Sequence, residues 1–233
     1  MVISHPNVVK YDFHTAYNNP IAEDRDDYLE HRSGVLAQSA PNLNPMVWEP
    51  ITGTDGYYRQ LQWTARVDTS LGIDNSDGHA MVLSNYLGLG QVARGRTTIN
   101  IKLNMLVETL PNVSMNAADR EAIIHGIESM RSALSNVSDL VILSPTAEVS
   151  ASDYVDTTSH APVNHWLGSC KLGTDDGRTG GTAVVDVDTK VYGTDNLFVV
   201  DASIFPGLTT SNPSAAIVVA AERAAERILA LQK

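Results

Sequence analysis

Asn196-Leu-Phe-Val-Val-Asp-Ala-Ser-Ile-Phe-Pro-Gly-Leu-Thr-Thr-Ser-Asn-Pro-Ser214 is the stretch whose reading decides the fold. Leu197 to Val200 is a short, continuous apolar run of β-formers, the pattern of a strand buried on both faces. Asp201-Ala202-Ser203 ends it in small and polar residues that let a ligand approach the backbone. Pro206-Gly207 breaks the chain, Thr209 to Asn212 form a polar loop, and Pro213 suits a first helical position, where its missing N–H costs nothing. Beyond it, Ile217, Val218, Ala221, Ala224, Ala225 and Ile228 share one broad face, so the expected helix packs closely on a sheet. Donors at a helix start favour an electron-rich or anionic group. A strand, a small-residue turn and a helix opening on one crevice point to a cofactor edge.

Composition bounds the rest. A chain of 233 residues, 43% of them apolar, can bury a core as one large domain or two lobes. The formal charge of −11 argues against nucleic acid or an anionic membrane as partner, because phosphates would be repelled. No apolar run is long enough to span a bilayer, and the N-terminus carries no basic-then-apolar export signal. The lone Cys170 leaves the redox compartment undecided. The seven histidines form no His-Glu-x-x-His run and there is no cysteine pair, so no metal site is expected. Asn112-Val-Ser114 and Asn136-Val-Ser138 would accept glycans in a secreted protein.

From the start, Met1 to Asp27 reads as a polar surface approach into a short helix at Tyr28 to Arg32, and Pro41, Pro45 and Pro50 make the next segment extended. Tyr57 to Val67 alternates as a strand, with Tyr57, Arg59, Leu61, Trp63, Ala65 and Val67 on one face. Arg59 is the only charge on that face. It either snorkels to solvent from the strand end or points into a pocket lined by Trp63, where it would hydrogen-bond a polar substrate. Met81 to Leu87 and Thr97 to Leu110 are further strands, with Gly88-Leu-Gly90 and Arg94-Gly-Arg96 as turns between them, giving an antiparallel or mixed sheet. Asn116 caps a helix to about Leu134, with Asp119 near its start and Ile123, Ile127, Met130 and Leu134 at helical spacing. Asp139 to Leu143 is one more strand, and the chain then loosens into Ser, Thr, Asp and Pro. Val184 to Val191 reads as part of a hairpin among turns.

A second chemical stretch is Asn164-His-Trp-Leu-Gly-Ser-Cys-Lys-Leu-Gly173. Its imidazole is the side chain best suited to act as a general base near neutral pH. A lone histidine is more often a satisfied structural one; the pairing of this stretch with the Asn212 loop is what favours chemistry here.

These motifs, in this order, resemble the C-terminal signature of the glucose–methanol–choline (GMC) flavoenzymes. Gln38 to Trp48, Arg59 to Arg66 and Asp175-Asp-Gly-Arg178 resemble in particular the flavin domain of the cellobiose dehydrogenases within that family. The resemblance covers nearly the whole chain. It implies an α+β fold, with a mixed or antiparallel sheet packed by helices as the substrate-binding domain over residues 1–180. Residues 181–233 would be the returning strand and helix of an FAD-binding domain. His165 would be the base that takes the substrate hydroxyl proton, and Asn212 the second member of the catalytic pair, able to orient a hydroxyl but not to act as a base. Asn164, Arg59 and Tyr86 resemble sugar-contacting positions, with Arg66 as the main competitor to Arg59. Asp201, Ala202 and the backbone at Asn212, Pro213 and Ser214 resemble flavin-contacting ones.

The sequence departs from the family in lacking a Gly-x-Gly-x-x-Gly after a strand, the pyrophosphate-binding fingerprint. The chain is therefore expected to be the C-terminal part of a larger, secreted flavoenzyme, unable to retain FAD without the missing N-terminal part. The resemblance further implies oxidation of the anomeric hydroxyl of cellobiose or a related oligosaccharide to the lactone. Electrons would pass to a cytochrome domain, a quinone or a copper oxygenase. A non-catalytic carbohydrate-binding module, another GMC alcohol or sugar oxidase, and a glycosidase are the alternatives, although no two carboxylates can be paired for the last. Ser169 lacks the Gly-x-Ser-x-Gly elbow of a serine hydrolase.

Overall fold

The computed structural model describes residues 1–10, 13–38, 43–67, 72–158, 165–210 and 212–231. Its elements run β1 (Val2–Ser4), α1 (Phe13–Asn18), α2 (Ala22–His31), β2 (Leu43–Thr52), β3 (Tyr58–Arg66), β4 (Ala80–Leu87), β5 (Arg96–Ile99), β6 (Met105–Thr109), α3 (Ala117–Leu134), β7 (Val141–Ser144), α4 (Ala151–Thr157) and α5 (Ser214–Ala230). The class is α+β, with a five-stranded sheet in the order β2-β3-β4-β1-β7 and a separate two-stranded sheet of β5 and β6.

Two compact units result. The first comprises Met1–Glu49, Gln62–Tyr86 and Ile123–Thr157; the second comprises Pro50–Leu61, Leu87–Ala122 and Thr158–Lys233. This differs from a division near residue 180, because strands and loops far apart in sequence pack together. Residues 158–233 belong to one unit with two earlier segments.

In the first unit the opening residues are core, not surface. β1 lies antiparallel between β4 and β7, with Val2 opposite Val82 and Ile3 opposite Met81 and Ile142. Val2 and Ile3 are buried, and Val2, Ala80 and Val82 form a cluster that Ile73 and Leu143 cover. Three residues are too few for an alternation to show in sequence, so the polar stretch after them dominated the reading. α2 begins earlier than Tyr28, at Ala22, and ends where Arg32 turns left-handed and its N–H donates to the Tyr28 carbonyl. α3 buries Ile123 and Ile127 along the expected stripe. α4 forms where a loose segment was expected. Ser150 Oγ accepts the Asp153 N–H and donates to the Asp153 carboxylate, a capping arrangement in a Ser-x-x-Asp spacing.

In the second unit, Thr97 to Leu110 is not one strand but the β5–β6 hairpin, with Ile99 opposite Met105. Asn100 Oδ1 accepts the N–H groups of both Lys102 and Asn104, and Leu103 takes a positive φ of 60°. A side-chain acceptor at Asn100 thus makes the turn that its apolar flanks concealed. Leu197 to Val200 forms no strand; Phe198 makes a single bridge to Lys190, and Leu197 is exposed. Among the described residues no neighbouring strand pairs with this run, so the expected strand of an FAD-binding domain is not formed. Val184 to Val191 likewise makes isolated bridges around the Asp186–Lys190 turn. The expected final helix is α5, but its face is only partly covered: Ala224 is buried, whereas Val218 and Ala225 are exposed. Its contact with the loop at Val187 and Asp188 runs through Arg227.

Candidate active site

His165 and Asn212, 47 residues apart in sequence, meet with Nε2 and Nδ2 at 3.3 Å. Backbone pairing explains the approach. Cys170 and Leu172 donate their N–H groups to the carbonyls of Ser203 and Ile204 at 3.0 and 2.8 Å, which ties the segment after His165 to the one leading into the Asn212 loop. Gly168 has φ +85°, and a Cβ there would sit 3.3 Å from the Phe205 carbonyl, so both backbone conformation and space favour glycine. The segment is held on its other side by Val184 N–H to the Lys171 carbonyl and by the Tyr192 hydroxyl donating to the Gly173 carbonyl at 3.0 Å.

The amide orientation has a chemical meaning. Where Asn212 Nδ2 is the donor, His165 Nε2 is the acceptor and the ring proton sits on Nδ1. That is the form in which a histidine can accept a proton. Asn212 is exposed and His165 half-buried, so a hydroxyl can reach the pair from solvent.

The expected flavin-contacting residues lie close by in sequence. The Asp201 carboxylate is turned onto its own backbone, accepting the Ser203 N–H at 2.8 Å and capping the 3₁₀ turn Ala202–Ile204. Pro213 is buried directly before α5, and Ser214 opens the helix exposed. Tyr86 sits half-buried in β4 of the first unit, and Asn164 lies outside the described residues.

Arg59 is the correction. It is wholly buried, so it does not snorkel, and its guanidinium is held by two carboxylates, so it is not available to a sugar. Its Nε donates to Asp119 Oδ1 at 2.8 Å, and its two terminal nitrogens donate to the two oxygens of Asp55 at 2.8 Å each. Asp119, also fully buried, accepts the N–H groups of Val92 at 2.9 Å and Ala93 at 2.7 Å as well. Its place in the first turn of α3, behind the Asn116 cap, adds the favourable end of the helix dipole. The signal was present in sequence: a lone arginine on an apolar strand face requires a buried counter-charge. What the sequence withheld was which of the chain's acids supplied it.

The hydrogen bonds from Arg59 hold the Asp55 carboxyl well below the usual carboxylate range, at about 2. A carboxyl depressed in the folded state contributes stability that is complete above its unfolded value and is lost as pH falls through the folded one. Thermal melts are therefore expected to lose an Asp55-dependent contribution only between about pH 4 and pH 2, and Asp55→Asn should flatten the melting temperature against pH across that window. An equal slope in the two proteins would contradict the assignment.

Among the described residues no group of three His, Cys, Asp or Glu side chains could hold a metal ion. No helix of the described residues is long and apolar enough to cross a membrane.

Comparison with known proteins adds the following. A family model described as GMC oxidoreductase matches residues 92–221. The dehydrogenase pkfF of Emericella nidulans is 36% identical over 118 residues, 48% of this chain and 19% of that protein. An oxygen-dependent choline dehydrogenase of Burkholderia pseudomallei is 42% identical over 89 residues, 37% of this chain and 15% of that one. Among solved structures, a variant formate oxidase of Aspergillus oryzae RIB40 has a TM-score of 0.65 at 18% identity, covering 98% of this chain and 45% of its own. Pyridoxine 4-oxidase from Mesorbium loti has a TM-score of 0.55 at 24% identity, covering 71% and 34%. The fold is shared with both. The chain spans less than half the length of each relative.

Proposed function

Since the chain belongs to the GMC oxidoreductase family, we propose that it supplies the substrate side and the catalytic base of an FAD-dependent oxidoreductase acting on CH–OH groups, with cellobiose or a related oligosaccharide as donor. The observation that carries this reading is the His165–Asn212 contact at 3.3 Å. The sugar rests on the resemblance of the stretches Arg59 to Arg66 and Asp175 to Arg178 to the cellobiose dehydrogenases, and not on a contact from Arg59.

The residues present fit a flavin edge. At the start of α5 the N–H groups of Ser214, Ala215 and Ala216 have no partner within the helix, and Ser214 and Ala215 are exposed. Such donors suit an electron-rich ring edge. FAD, when held there, would supply the redox chemistry as the acceptor of a hydride. The work of this chain is narrower. His165 Nε2 takes the hydroxyl proton, so that the C–O bond can become a carbonyl as the hydride departs. On substrate entry the hydroxyl would replace the Asn212 amide at that nitrogen, with Asn212 beside it to orient the hydroxyl oxygen; the amide cannot take up a proton, which leaves the base role to His165. The electrons would pass on to a cytochrome, a quinone or a copper oxygenase.

The test is anaerobic stopped-flow of the full-length flavoenzyme against cellobiose and choline in turn. Rapid flavin reduction by cellobiose with release of its lactone is expected. Reduction by choline with none by cellobiose would refute the sugar assignment while leaving the His165 chemistry standing.

A further inference from the structure

In the second unit, Gly88 lies against the loop that carries Asn212. A Cβ built on Gly88 would sit 3.2 Å from the carbonyl oxygens of Thr209 and Thr210, and 3.5 Å from that of Gln60. Gly88 is not among the glycines with positive φ, so a side chain there meets no backbone penalty and its effect is purely one of space.

The decisive matter is which side yields. Gly88 is fixed to β3 by its N–H to the Gln60 carbonyl at 3.1 Å, and Gln60 donates to the Leu89 carbonyl at 3.0 Å. Two residues on, Gly90 has φ +86° and so little room that a Cβ would fall 2.1 Å from the Tyr58 carbonyl. Further along, Val92 and Ala93 are anchored on the buried Asp119 carboxylate. Residues 88–93 are thus pinned at both ends, so the strain of a methyl group on Gly88 falls on its contact with the Thr209 and Thr210 carbonyls.

We infer that Gly88 is a positioning residue for the catalytic pair: its bare Cα sets how far the Thr209–Thr210 backbone can approach β3, and so where the Asn212 amide stands relative to His165 Nε2. This rests on the reading of His165 and Asn212 as the catalytic pair, but its first test does not. Misplacements of the order of an ångström cost about 10²-fold in rate, so a shift of a few tenths should cost roughly tenfold.

The experiment compares wild type, Gly88→Ala and Gly180→Ala. Gly180, in the same unit, has φ +94° and nothing within 4 Å of an added Cβ, so its variant is strained without touching the loop. In the 233-residue chain, the NMR shifts of the Asn212 side-chain amide and the His165 ring are expected to agree between wild type and Gly180→Ala and to move in Gly88→Ala. In the full-length flavoenzyme, kcat of Gly88→Ala is expected to fall about tenfold with KM and flavin content unchanged, which keeps the proposal testable if the shorter variant does not fold. Unmoved shifts in Gly88→Ala, equal movement in Gly180→Ala, or an unchanged kcat would each overturn the assignment. Failure of His165→Ala to slow reduction would overturn the catalytic reading instead and leave the geometric result intact.

Discussion

Asp119→Ala is expected to lose about 3–5 kcal/mol of folding stability, the usual result of removing one partner from a buried ion pair. The size follows from what is left behind. Arg59, with none of its side chain exposed, would keep Asp55, whose side chain is 29% exposed, as its carboxylate, along with the Tyr57 carbonyl at 3.4 Å. The Val92 and Ala93 N–H groups would lose their acceptor, and an unsatisfied buried donor costs about 1–3 kcal/mol by itself. Against a total stability of about 5–15 kcal/mol, this is a large fraction. Urea unfolding should show a lowered midpoint, and thermal melts a drop of the order of 10 °C. The complementary pair Arg59→Met with Asp119→Leu is expected to lose less than the sum of the single changes, because no charge is then left buried alone. A single variant within about 1 kcal/mol of wild type would show that the pair is not held as described.

His165→Ala in the full-length flavoenzyme is expected to slow flavin reduction by at least about 10²-fold, the lower bound for loss of a general base. Among the described residues, the side chain placed against His165 Nε2 is an amide, which cannot take over the proton. Substrate binding should change little, so the loss should appear in the reduction rate and not in its half-saturating concentration. Asn212→Ala should cost less, because it removes orientation while the base remains. Near-normal reduction by His165→Ala in stopped-flow would remove this residue from the proton-transfer role.

The parts of the fold with a long periodic signal were legible. β3 and α3 follow directly from alternation and from 3.6-residue spacing, and the Asn116 cap stands where its side-chain chemistry puts it. The misses share a cause. β1 is too short to show a period, Asn100 hides a turn inside an apolar run, and Ser150 and Asp153 announce a helix whose body is only seven residues long. Leu197 to Val200 shows the converse, since a run of β-formers becomes a strand only when a neighbour offers a ladder.

The site was legible in a different way. Nothing in periodicity marks His165; its partnership with Asn212 was visible only through the ordered motifs around both. Arg59 had the opposite character. Its anomaly was plain from alternation alone, but the residue that resolves it is 60 positions away, and strand-face reasoning has no reach across that distance.

The position of β1 bears on how the chain acquires its shape. The strand between β4 and β7 has neighbours that begin only at Ala80 and Val141. Val2 and Ile3 therefore pair only after long stretches of chain have been closed into loops, and closing such loops is entropically slow. Assembly of this sheet is a late, concerted event rather than a progressive one.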